Sequence, residues 1–126
     1  MAPRSAICLF VAVIVAAVVA VTATGVAPAA AHHGWSGYDS TKELTLTGTI
    51  TESGYEHPHG HVRLDVPGKV WLVVLAPPTR MESRGLPAAK LRVGAKATVV
   101  GYPHKSNAEE MRAERITIDG ATVELR

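Results

Sequence analysis

The sequence predicts an all-β domain: a small five-stranded OB-like barrel with a short helix between strands 3 and 4 and a C-terminal hairpin. Three observations predict it. Apolar residues alternate with period two in short runs, the pattern of half-buried strands. Pro67-Gly68, Val93-Gly94 and Asp119-Gly120 punctuate these runs as turns. One proline-led helical stretch follows the third run, and three strands, a helix and two strands is the order of an OB-type barrel. A small β-sandwich is the alternative, but it does not explain the single helix.

The chain opens with a leader. Met1 to Arg4 carries one cation, Ala6 to Val21 is continuously apolar, and 26–31 is built of small residues and one proline. This reads as a signal peptide over 1–31. The apolar run is shorter than the roughly 20 residues of a membrane span and lacks a basic flank, so no membrane attachment is expected after cleavage. Cys8 is the only cysteine and lies inside the leader, so the remainder has no disulfide or thiolate site. Residues 32–41 read as a flexible arm with Trp35 and Tyr38, and 42–126 as the barrel.

From Lys42 to Tyr55, Leu44, Leu46, Gly48 and Ile50 fall on one face and four threonines on the other. β-Branched threonines suit a pleated, half-exposed strand. Gly48 in mid-strand suggests a bend or bulge. In His61 to Val66, Val62, Leu64 and Val66 would face inward. Val70 to Leu75 is apolar on both faces and reads as a central strand covered on both sides. Pro77-Pro78-Thr79 opens the helix, since proline is tolerated in a first turn. Thr79 and Glu82 match a capping box, and Gly85 suits the left-handed position after the helix. Leu86 and Leu91 anchor this connection. Lys96 to Tyr102 and Met111 to Ile118 are strands four and five. Asp119-Gly120 is a two-residue hairpin turn into a short last strand.

Charge narrows the function. The net charge of +2 falls to +1 without the leader, because Arg4 is the leader's only charged residue. That balance is not a nucleic-acid footprint. No nucleophile with a placed base, no carboxylate pair and no glycine-rich phosphate loop is present, so no enzyme is expected.

Six histidines remain, and five are concentrated: His32 and His33 in the arm, and His57, His59 and His61 in the loop before strand two. Imidazole suits copper, zinc and nickel, and copper as Cu(II) is the first expectation, with zinc or nickel behind it. A mature start at Ala31 would put His33 third, where the amine, two amides and the imidazole form a square-planar set. A start at His32 would let its amine and ring chelate one copper. In an extended chain His57, His59 and His61 project to one face about 7 Å apart at Cα. Pro58 and Gly60 are placed to kink that segment, and Glu56 is an oxygen donor beside it. Solvated or structural histidines are the competing reading. His104 reads as a surface residue, and Trp35 and Trp71 as packing residues.

These residues also carry a resemblance. His32-His33-Gly34-Trp35, Leu46-Thr47-Gly48-Thr49-Ile50, His57-Pro58-His59, Leu64-Asp65-Val66 and Arg84-Gly85 occur in the order seen in a family of small exported bacterial proteins of unknown function. The chain resembles that family over nearly all of its length after the leader. The resemblance implies an exported OB-like domain and no established reaction. His57 stands where the family usually has Asn, and His61 where an aromatic is usual. Val74 or its neighbours stand in place of the polar, acidic end that strand three often carries there. Two functions follow as expectations: a copper carrier, buffer or sensor accessory, or a non-catalytic OB-type module for a cell-envelope protein or other ligand.

Overall fold

The structure is a computed structural model that describes residues 34–126. The leader and the arm histidines His32 and His33 lie outside the described residues. The elements are β1 (Leu44–Gly54), β2 (His61–Val66), β3 (Lys69–Val74), α1 (Pro78–Ser83), β4 (Lys96–Pro103), β5 (Glu110–Ile118) and β6 (Ala121–Glu124). The sheet order is β3-β2-β1-β4-β5-β6, and β3 also pairs with β5. That last, parallel pairing closes five strands into a barrel and leaves β6 as an added strand. The expected OB-like barrel, helix and terminal hairpin are all present.

Length explains why β1 organises the barrel. Its first half, Leu44 to Thr49, pairs with β4, and its second half, Thr49 to Gly54, pairs with β2. A strand serving two neighbours in succession has to bend between them. The bend falls at a register shift between Ile50 and Glu52, not at Gly48. Gly48 answers a different need: a Cβ there would lie 2.8 Å from the carbonyl carbon of Asp65, so the two strands approach too closely for any side chain.

The core fills the barrel with Ile50, Val62, Leu64, Val73, Val99, Met111 and Ile116, all fully buried. Each such side chain contributes about 1.5–3 kcal/mol relative to exposure. Met81 of α1, with Leu86 and Leu91 after it, belongs to the same cluster. The expected capping box does not form. Pro77 is the N-cap, with no side-chain hydrogen bond. The Tyr55 hydroxyl instead donates to the Leu86 carbonyl at 2.6 Å and lies 3.3 Å from the Glu82 carboxylate, tying the end of β1 to the helix and the chain after it. Gly85 takes φ +86°, as the left-handed C-terminal position requires. Asp119 (φ 52°) and Gly120 (φ 77°) both adopt positive φ, the signature of a type I′ hairpin turn.

Two further arrangements bear on the edges. Arg84 donates from Nη1 to the carbonyls of Glu124 (2.8 Å) and Arg126 (2.9 Å), and Arg80 Nη1 donates to that of Leu125. The described part of the arm is docked on the barrel, beyond the expectation of a flexible segment. Trp35–Gly37 forms a 3-10 turn, the Asp39 amide donates to the Pro103 carbonyl, and Tyr38 forms a β-bridge with His104.

β3 differs from expectation in its outer face. Trp71 and Val73 turn toward the core, while Val70 is 44 % exposed and Leu72 and Val74 are half-buried. No second layer covers them in the described residues. Leu72 and Val74 are the floor of a groove.

Candidate functional site

The groove lies on the outside of β2 and β3, between the β1–β2 loop (55–60) and the β4–β5 loop (104–109). This is the face on which OB-type barrels hold ligands. Antiparallel register pairs His61 with Val74 and Arg63 with Leu72, so these four side chains share the outer face. Parallel pairing of β3 with β5 sets Glu110 beside Leu72 and Arg112 beside Val74. Pro58, His59 and Gly60 form one wall, His104 the other, and Gly37 and Tyr38 close a third side. The groove has a volume of about 630 Å³, within the range of small-molecule sites.

Gly60 sets the position of its wall. Its amide donates to the Ala76 carbonyl, and its own carbonyl accepts from Leu75, both within 2.9 Å. A Cβ on Gly60 would meet Met81 Cε at 2.5 Å, so the loop is seated directly on the helix. The opposite wall is held by His104. Its Nδ1 accepts from the amides of Ser106 (3.1 Å) and Asn107 (3.0 Å), which assigns the proton of the neutral ring to Nε2. The ring meets Tyr38 edge-on, with centroids 5.2 Å apart.

Arg112 stands at the centre. Period two along β5 turns Met111 and Ala113 into the core and Arg112 to the outside, yet Arg112 is only 6 % exposed. It is covered from above. Its Nη2 lies 3.1 Å from His59 Nε2, and its Cζ lies 4.6 Å from the centre of the Trp35 ring. A guanidinium only donates, so His59 Nε2 is the acceptor and the neutral ring carries its proton on Nδ1. Burial lowers the Arg112 pKa from its ordinary value; Arg80 and Arg126 push the same way, and Tyr38 opposes them. The Tyr38 hydroxyl donates to Glu110 Oε1 at 2.6 Å, and burial together with this bond pushes its pKa well up.

The five candidate metal ligands have separate fates. His32 and His33 lie outside the described residues. His57 is exposed, and its peptide bond to Pro58 is cis. His59 turns into the groove onto Arg112. His61 is half-buried between two carboxylates, Glu52 at 3.7 Å and Glu56 at 3.8 Å, which are ion-pair distances. Among the described residues no group of three or more such side chains is placed to hold a metal ion. The one-face projection of an extended His57–His61 segment is therefore not observed, because only His61 belongs to a strand and the two others sit in the loop.

Sequence reading missed Arg112, Glu110, Tyr38 and the role of His104. Nothing in the local sequence of β5 sets Glu110 or Arg112 apart. What buries Arg112 is cover from the arm and from His59, more than 50 residues away in the chain. The apolar outer residues Leu72 and Val74 were the available signal.

Comparison with known proteins places this geometry in context. No curated protein matches the chain. It is similar to part of the crystal structure of TiaS in complex with a tRNA and ATP, with TM-score 0.48 and 23% identity over 71% of this chain and 20% of that one. It is similar as well to the ZRD-deleted mutant of TiaS in complex with agmatine, with TM-score 0.48 and 22% identity over 70% of this chain and 25% of that one. The chain thus spans a quarter or less of those proteins. A family model matches residues 18–112, and the chain belongs to that family, a family of unknown function (DUF6152).

Proposed function

We propose that this chain is an exported, non-catalytic OB-type binding module whose ligand sits in the groove between the β1–β2 and β4–β5 loops. The observation that carries the reading is the outer face of β2 and β3. Leu72 and Val74 make an apolar floor there, ringed by the polar side chains of His59, Arg63, His104 and Arg112. An apolar floor with a few convergent polar groups is the general form of a ligand site. The test is an amide-shift map of the protein against a fragment set of acids, amines and neutral amphiphiles. Shifts clustering at 57–61, 72–74 and 104–112 support the module. Shifts scattered over the surface, or confined to residues outside the groove, refute it.

Copper is a second reading, favoured by one observation. The His61 imidazole has a carboxylate beside each ring nitrogen, Glu52 at Nε2 and Glu56 at Nδ1, so either side of the ring pairs one nitrogen with one oxygen donor, and among the described residues no third ligand joins them. Completing a Cu(II) site there calls on His32 or His33. A Cu(II) titration against a competing chelator is the measurement. Submicromolar, stoichiometric binding that weakens in His61→Gln and in a His32→Gln, His33→Gln double variant supports it. Affinity no better than that of any histidine-bearing surface eliminates it.

A further inference from the structure

We propose that Asp119-Gly120 is a backbone-rearrangement site, at which Asp119 cyclises onto the Gly120 amide and reopens as a β-linked isoaspartate, and that Arg92 is the residue that holds this reaction back. None of the three lines the groove.

The turn supplies the reacting groups. Of the three aspartates, Asp119 alone is followed by glycine. Glycine has no side chain to shield its amide from the neighbouring carboxyl, and here even an added Cβ would meet nothing within 4 Å. Asp119 is exposed, at a φ of 52° that is strained for any residue with a Cβ. The atoms balance with water as the sole co-reactant. The Gly120 nitrogen bonds to Asp119 Cγ, and the carboxyl hydroxyl leaves with the amide proton as water, closing a cyclic imide. Water then opens the imide. Breaking the new bond from nitrogen to Cγ restores Asp119. Breaking the bond from nitrogen to the main-chain carbonyl leaves the backbone running through Cγ.

Arg92 opposes the first step. Its Nη1 donates to Oδ2 of Asp119 at 3.0 Å and its Nη2 to Oδ1 at 3.1 Å, so both carboxylate oxygens are engaged. A two-pronged pair fixes orientation as well as charge. Water leaves from the protonated carboxyl, and the hydrogen bonds from Arg92 hold the Asp119 carboxyl below its ordinary pKa. Slight burial opposes this, and Lys90 adds a smaller pull in the same direction as Arg92. Arg92 is itself delivered by a fixed backbone. Leu91 before it is buried in the core, the Arg92 carbonyl accepts from the Ala95 amide at 3.1 Å, and the Gly94 amide donates to the Ile50 carbonyl at 2.7 Å.

What the pair protects is the register of the last strand. The two-residue turn joins Ile118 to Ala121, and the hydroxyls of Thr117 and Thr122 lie 2.8 Å apart just beyond it. Hairpin register follows from loop length, and the rearranged turn carries one more backbone atom. Val123 of β6 and Leu125 after it are buried in the core. Rearrangement at Asp119 therefore loosens both anchors.

The experiment is warm incubation of the protein, purified as the expressing cell processes it, followed by peptide mapping with electron-transfer fragmentation, which tells isoaspartate from aspartate. The unaltered protein is followed in dilute salt, in concentrated salt and unfolded in urea, beside Arg92→Gln. Asp39 and Asp65, followed by serine and valine, are internal references. Isoaspartate at Asp119 is expected to accumulate most slowly in the unaltered folded protein. Arg92→Gln is expected to accelerate it about two- to fivefold, the range open to an exposed ion pair. Concentrated salt screens exposed charges, so it is expected to speed the unaltered protein and leave Arg92→Gln unchanged. No isoaspartate at Asp119 in the unfolded chain overturns the site. Equal rates in the unaltered protein and Arg92→Gln, or a salt effect that persists in Arg92→Gln, overturn the role of Arg92. Amide spectra establish that the variant is folded, and the salt series on the unaltered protein stands without it.

Discussion

Replacing Gly101 by alanine tests how the barrel is closed behind the groove. Gly101 lies on β4 at a register shift, opposite Ala113 of β5. A Cβ added there would lie 2.8 Å from both the Ala113 Cα and the Arg112 carbonyl carbon, and closer still to the carbonyl oxygen. Every obstructing atom is backbone, so no side chain can swing away. Restoring contact near 3.5 Å at that oxygen needs a displacement of about 1.5 Å. β4 is held by β1 and β5, and β5 by β3, β4 and β6, so neither strand can move alone. Overpacking a tight site costs typically 1–3 kcal/mol, and the upper end applies here, about 3 kcal/mol. For a domain of this size that lowers Tm by about 12–24 °C. Thermal unfolding followed by circular dichroism measures it. Gly120→Ala is the control: its Cβ meets nothing within 4 Å, and only the positive φ of 77° is strained, so about 1 kcal/mol is expected. A Gly101→Ala variant that melts within about 4 °C of the unaltered protein, or no lower than Gly120→Ala, refutes the steric reasoning.

Tyr55→Phe deletes the 2.6 Å hydrogen bond to the Leu86 carbonyl and is expected to cost about 1 kcal/mol in urea unfolding; an unchanged midpoint contradicts it. Met81→Ala removes a fully buried side chain seated against Gly60 and is expected to cost about 3 kcal/mol, with amide shifts reaching 57–61; shifts confined to α1 would separate the helix from the groove wall. All three tyrosines have raised pKa values, Tyr38 and Tyr55 chiefly through burial and Tyr102 chiefly through its hydrogen bond to Glu114. A folded value above the unfolded one, about 10, means the stabilisation is complete below pH 10 and is lost as pH rises through the folded values. The phenolate absorbance at 295 nm should therefore rise at higher pH in the folded protein than in the chain unfolded in urea; folded and unfolded titrations that coincide count against the placement.

Elements set by local chemistry were legible. Period two identified β1 and β2, and Asp119-Gly120 identified the hairpin, because turn geometry depends on the residues in the turn. Bend and bulge positions were not, since they answer to partner strands: Gly48 is needed by Asp65, and the bend two residues on is set by where β1 changes neighbours. The site was legible in part. His59 and His61 were singled out as chemically loaded, and both line the groove. Their partners were out of reach, because Arg112 meets His59 only through the closed barrel. The two-sided apolarity of β3 was visible as a pattern, but whether its outer face meets another layer or a ligand is decided by tertiary structure.

Arg80 of α1 and Arg84 just after it bear on how this protein behaves among copies of itself. A closed barrel has no strand edges, and adding β6 reintroduces one. An uncovered edge is a template for a neighbour's strand and the usual seed of sheet-to-sheet aggregation. Arg84 occupies the carbonyls of Glu124 and Arg126 with a cation, and Arg80 that of Leu125. At the C-terminal end of β6 the carbonyl of Glu124 is thus already bonded, and an incoming strand meets two positive charges there. The segment that packs Met81 into the core thus also shields one end of the added strand, where a neighbouring molecule's strand would find the Glu124 acceptor occupied.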